Sequence, residues 1–97
     1  MSAYSRSVEK GDKANPPDVG SVGTSSTLIR TFRRQSRAIR IQNRHASQNL
    51  LFSLDGGTTF ETIGPFGKID EAYRGKTLHM KGSDTGTTYD VRTTEQQ

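Results

Sequence analysis

The sequence predicts an all-β protein: a small antiparallel β-sandwich or barrel preceded by an extended N-terminal arm. Two observations predict it. Apolar residues alternate with period two in several short runs, and the runs are separated by Gly-, Pro- and Asp-containing turn signals. No convincing amphipathic helix interrupts the series, and strands at such short spacing favour an antiparallel sandwich or barrel.

The elements follow in order. Residues 1–26 are polar and rich in Gly, Ser and Pro, with Pro16-Pro17, Gly20 and Gly23 breaking any regular element, so they read as an extended arm that adds little to the core. The β-domain spans 27–93, and 94–97 is a short polar tail. Within the domain, Thr27 to Arg33 and Arg37 to Asn43 are strands, the second with Ile39 and Ile41 inward and Arg40 and Gln42 outward. Asn49 to Ile63 is the clearest segment, two strand-like runs joined by Asp55-Gly56-Gly57. Both glycines accept φ > 0, and a three-residue loop with a bulge would set Phe60 opposite Phe52 and gather Phe52, Leu54 and Phe60 in one apolar patch. Gly64 to Gly67 is a tight turn. Lys68 to Lys76 reads as an irregular crossover in which Ile69 and Tyr73 tuck under the sheet. Two last strands follow, one carrying Leu78 and Met80, the other Tyr89 and Val91, around a turn at Gly82 to Gly86.

Composition narrows the function. With 97 residues, 29% hydrophobic content and a mean hydropathy of −0.79, the chain holds one domain at most and a thin core. It has no cysteine, which removes disulfides and Cys-ligated zinc as stabilising devices and leaves oligomerisation. The N-terminus has no apolar leader, and no stretch approaches the roughly 18 apolar residues of a membrane span, so synthesis in the cytoplasm and no membrane partner are expected.

Charge is uneven. Residues 1–48 carry nine basic and three acidic side chains, whereas 49–97 carry five basic and seven acidic. Arg30, Arg33, Arg34, Arg37, Arg40 and Arg44 lie in fifteen residues without an acid, and arginine forks suit carboxylates and phosphates. These six arginines, with Tyr4, Val8, Val19 and Val22 of the arm, form the expected partner-binding set. Against this stands the plain alternative of a solvated strand face, because Arg30 and Arg40 alternate with apolar neighbours.

Catalytic patterns are weak by comparison. Asp84-Thr85-Gly86 matches the aspartic-protease tripeptide, but it follows Lys81-Gly82-Ser83 rather than an apolar strand and lies near the end of the chain; a β-turn explains it. His45 and His79 have no ligand partner at i+2 or i+4 and read as exposed, and Asp55 is a single carboxylate explained by turn chemistry. The expectation is a non-enzymatic protein with no catalytic residues, metal or cofactor.

Five segments, I-R-I-Q-N at 39–43, L-L-F-S-L-D-G-G-T-T-F at 50–60, G-P-F-G at 64–67, L-H-M-K-G at 78–82 and T-Y-D-V at 88–91, together resemble small all-β structural proteins of tailed bacteriophage particles. The resemblance covers about residues 37–93. It implies a multi-copy virion component, foremost a capsid decoration or cement subunit and next a neck or tail accessory subunit. Its partners would be other virion proteins and its own copies, met through the arm and the arginines. The reading from another class is a β-barrel nucleic-acid-binding protein. It ranks behind because Phe32 is the only aromatic among the arginines, whereas single-strand binding wants stacking residues interleaved with charge.

Overall fold

A computed structural model describes residues 12–96 and turns the alternating runs into nine strands. These are β1 (Asp12–Ala14), β2 (Asp18–Val22), β3 (Thr27–Thr31), β4 (Ser36–Asn43), β5 (Leu50–Ser53), β6 (Glu61–Ile63), β7 (Lys68–Glu71), β8 (Thr77–Gly82) and β9 (Thr87–Gln96). Among the described residues there is no helix, and none long and apolar enough to cross a membrane. All pairings are antiparallel. One sheet, A, runs β1-β9-β4-β7 with β2 also on β9; the other, B, runs β3-β8-β5-β6.

The two sheets face each other across one apolar layer. Val22, Ile39, Ile41 and Val91 come from sheet A, and Leu50, Phe52, Ile63, Leu78 and Met80 come from sheet B; Phe32, just after β3, completes the buried set. The alternation of β4, β8 and β9 is therefore the one expected, with Ile39, Ile41, Leu78, Met80 and Val91 fully buried. Each such side chain contributes about 1.5–3 kcal/mol on burial. Phe52 and Tyr73 lie ring to ring at 5.8 Å.

Polar side chains fasten the connections. Asn43, fully buried, places its amide nitrogen within 2.7–3.1 Å of the carbonyls of Gln48, Ile63 and Gly64, while its Oδ1 accepts from the His45 amide. One side chain thus holds the β4–β5 loop and the β6–β7 turn. Ser36 does the same at the other end of β4: its hydroxyl donates to the Tyr73 carbonyl at 2.8 Å and accepts from the Gly75 amide at 2.8 Å. The β6–β7 turn closes with Gly67 N–H donating to the Gly64 carbonyl, Pro65 preceding Phe66. Phe66 takes the left-handed conformation, φ 57°. The glycine is needed one place later, where a Cβ would lie 3.0 Å from the Gly64 oxygen.

Three expectations need correction. The boundary at Thr27 does not hold for residues 12–22, which form β1 and β2 and pair with β9 from Asp12↔Gln96 to Val22↔Thr87. Between them Asn15 bonds Thr93 through both its backbone and its side chain. Pro16 and Pro17 are tolerated there because an edge strand need not donate on its outer side. The tail at 94–97 likewise contributes Thr94 to Gln96 to β9. Second, residues 68–71 of the supposed crossover are strand β7, paired with β4; Ile69 and Tyr73 are partly buried against the core as expected.

Third, the hairpin loop is wider than three residues. Phe52 pairs with Glu61, not Phe60, so the loop runs from Leu54 to Phe60. Side chains set this width. The Ser53 hydroxyl donates to Asp55 Oδ1 at 2.6 Å and accepts from the amides of Asp55 and Gly57, while Asp55 Oδ1 accepts from the amides of Thr58 and Thr59. Gly56 and Gly57 supply the positive φ this loop requires, 77° and 90°. Phe60 instead lies beneath the Lys81 ammonium, 4.2 Å from the ring centroid.

Burial separates the two valines of β2. Val22→Ala is expected to lower stability by about 2 kcal/mol, whereas Val19→Ala changes it by less than about 0.5 kcal/mol, read from urea midpoints.

Candidate functional site

The outer face of sheet A is built by the same alternation that fills the core. On β4 the residues alternating with the buried isoleucines are Ala38, Arg40 and Gln42, and Arg44 follows; on β9 those flanking Val91 are Asp90 and Arg92. The β4–β9 register sets Arg40 directly across from Arg92 and Gln42 across from Asp90. On the far side of β4, β7 places Asp70 beside Arg40 and Lys68 beside Gln42. On the far side of β9, Val19 of β2 stands beside Asp90, 64% exposed.

Asp90 is the hub of the charges. Its Oδ1 lies 3.4 Å from Arg92 Nε and its Oδ2 lies 3.6 Å from Arg44 Nη1. Arg44 is further held by its amide, which donates to the Thr88 carbonyl at 2.9 Å. Arg40 is different: among the described residues its guanidinium has no hydrogen bond and no ion pair within 4 Å. Arg40, Gln42, Asp90 and Arg92 line a shallow depression of about 250 Å³. Like charges directly across an antiparallel pair repel, at a cost of up to about 1 kcal/mol. The burial of Ile39 and Ile41 on either side of Arg40 exceeds this cost, so the core can hold the arrangement in place.

The expected contact residues do not all reach this face. Arg40 and Arg44 lie on it, and Val19 lies at its margin. Arg30 is engaged inside the chain, its Nε and Nη2 donating to the two oxygens of Asp18 at 2.8 and 3.1 Å, with Nη2 also 3.3 Å from the Pro16 carbonyl. The bond to Asp18 raises the Arg30 pKa further and ties β3 of sheet B to β2 of sheet A. Arg33 is exposed, and its amide donates to the buried Glu95 carboxylate at 2.7 Å. Arg34 is exposed and Arg37 half-buried at the irregularity between Ser36 and Ala38, and neither is without a partner. Val22 is buried in the core and is not available to a neighbour. Tyr4 and Val8 lie outside the described residues.

Arg92 and Asp90 are the residues that sequence reading missed. Their outward direction is legible from the alternation with Tyr89 and Val91, but the pairing of β9 with β4, some fifty residues apart, is not.

The other candidates resolve into local structure. Asp84-Thr85-Gly86 lies in the β8–β9 turn, where Asp84 Oδ1 accepts from the Thr85 amide and the Thr87 hydroxyl donates to the Asp84 carbonyl. His45, read as exposed, is half-buried: its Nδ1 accepts from the amides of Ser47 and Gln48 and organises the β4–β5 loop. His79 is half-buried too, across β5 from the buried Ser53, and its Nδ1 has no partner among the described residues. No group of three or more His, Cys, Asp or Glu among the described residues can hold a metal ion. A second depression, lined by Phe52, Leu54, Asp55, Thr59, Glu61 and Arg74, combines apolar groups with two carboxylates and one guanidinium, a net negative lining. Burial, followed by the charges of Glu61 and Glu71, raises the pKa of Tyr73.

No protein-family model matches the chain, and no curated protein or solved structure matches it.

Hydrogen bonds from the Ser53 hydroxyl and then the Thr59 and Thr58 amides lower the Asp55 pKa from 3.8 to about 2. A carboxyl depressed in the folded state stabilises the loop fully above its unfolded pKa, and that contribution is lost as pH falls from 3.8 through about 2. The amide resonances of Thr58 and Thr59 are expected to titrate with a midpoint near pH 2. Asp55→Ala should abolish that titration and speed the exchange of both amides with solvent.

Proposed function

We propose that the chain is a non-enzymatic structural subunit of a tailed-phage particle, foremost a capsid decoration or cement protein, which adheres to neighbouring subunits through the outer face of sheet A. The observation that carries the reading is the exposed row of arginines on a rigid sheet, with Arg40 opposite Arg92 and Arg44 beyond them. A ladder orders the backbone of these arginines before binding, and their planar forks suit carboxylates across an interface. The acidic and apolar depression around Asp55 and Glu61 supplies a surface of the opposite sign on the same molecule, which supports head-to-tail contacts between copies. The motif resemblance to small virion proteins directs the reading to the phage particle. Within it, a neck or tail accessory position is the next choice after the capsid surface.

Phe66 favours a second reading. It is 65% exposed, and its amide donates to the His45 carbonyl, one residue from Arg44. An exposed ring near an arginine face is what a single-stranded nucleic acid would use for stacking.

Copy number separates these functions. Mass and imaging analysis of particles should find the wild-type chain in lattice multiples. Replacing Arg40, Arg44 and Arg92 together by Gln should lower its occupancy at least about tenfold, the factor that removing even one charge-assisted hydrogen bond carries. A chain absent from particles, or equal occupancy of a folded triple variant, overturns the proposal. Binding to single-stranded DNA that weakens steeply with salt would favour the second reading.

A further inference from the structure

Among the described residues the Arg40 guanidinium of the outer face makes no hydrogen bond and no ion pair within 4 Å, although Asp70 stands across from it on β7. Asp90 engages Arg92 at 3.4 Å and Arg44 at 3.6 Å, and the Arg40 fork opens into the depression it shares with Gln42 and Arg92. We propose that this depression is a binding site for a carboxylate side chain of an acidic protein segment, with Arg40 as its principal partner. The inference rests on the reading of this face as a protein-docking surface.

Shape and the Asp90 wall favour a carboxylate over a phosphate. Asp90 offsets part of the charge of Arg44 and Arg92, and Asp70 stands across from Arg40, but with Lys68 beside Gln42 four cations face two carboxylates and the face stays positive, as an acidic partner requires. A carboxylate brings one negative charge and two coplanar oxygens, which fit one arginine fork. A phosphate monoester brings further oxygens, some of which would face the Asp90 wall of the depression. Gln42 adds a neutral amide donor to the same lining, and its assigned direction is free to suit the ligand. Exposed Val19 lies on the same face, two strands from β4 and therefore about 10 Å away across the sheet. An acidic segment that also carries an apolar residue would touch both.

Arg40 and Arg92 repel each other until an anion lies between them, and Asp70 across from Arg40 offsets only part of this, so the affinity for an anion should fall when either arginine is removed.

The test uses the isotopically labelled chain and four probes: an end-blocked tetraglutamate peptide, the same peptide extended by one leucine, inorganic phosphate, and a short single-stranded oligonucleotide. The peptides should shift the amide resonances of Arg40, Gln42 and Arg92, and the leucine-bearing one also that of Val19. Arg40→Gln should weaken peptide binding at least about tenfold. A cooperative urea transition of the same variant shows that it folds. Lys76→Gln, a loss of charge elsewhere on the surface, should leave affinity unchanged. Equal affinity of the wild-type and R40Q proteins, resonance changes confined to another face, or tighter binding of phosphate or oligonucleotide than of peptide each overturns the carboxylate assignment. Particle occupancy is read separately. A wild-type chain absent from particles overturns the structural-subunit reading whatever the peptides do, and unchanged peptide binding by R40Q overturns the carboxylate site whatever the particles show.

Discussion

Everything in sheet A depends on β9 being paired along both of its sides. Its ten residues meet β4 on one flank, and β2 and β1 in succession on the other. A thin core cannot by itself order polar segments such as residues 12–22, because each ordered residue costs about 1–2 kcal/mol of backbone entropy. Here the ladder supplies the compensating hydrogen bonds, Val22 adds apolar burial, and the Arg30–Asp18 pair ties the added strand to the opposite sheet. That ion pair keeps 22% side-chain exposure on each partner, shielded enough to outlast an ordinary surface pair. The strand that anchors the core also anchors what would otherwise be a tail.

The same ladder decides the chemistry of the exterior. In a pleated sheet every buried residue implies outward neighbours, so fixing Ile39, Ile41 and Val91 inside also fixes Arg40 and Arg92 outside and opposite each other. A one-residue slip between β4 and β9 would remove the apolar set from the core, which is why the unfavourable juxtaposition of two cations persists. Asn43 extends this control beyond the strand by holding the loop and turn that follow Arg44. The outer face of sheet A is thus positioned by the interior, not by its own contacts.

Strong alternation makes much of the fold readable from sequence, and the departures have identifiable causes. Leu78, Met80, Ile39, Ile41 and Val91 carry their direction in the pattern itself. The loop after β5 is wider than its turn residues suggest because its length is set by the Ser53 hydroxyl and the Asp55 carboxylate bonding to backbone amides, which apolar periodicity does not register. β1 and β2 look like an arm in the sequence because an edge segment rich in Gly and Pro gains its order from main-chain pairing, with Val22 as its single buried apolar anchor. The candidate site is half visible. Arg40 and Arg44 stand out as charge, whereas Asp90 and Arg92 join them only through a register that no local signal encodes.

The double proline between β1 and β2 has a consequence for how copies of this chain coexist at high concentration. It divides the outer rim of the sheet into runs of three and five residues and removes two amide donors at the break. A strand arriving from another molecule would find no continuous template along that rim, so runaway cross-β polymerisation is discouraged there. Of the edges of the two sheets, this rim is the one that proline itself interrupts.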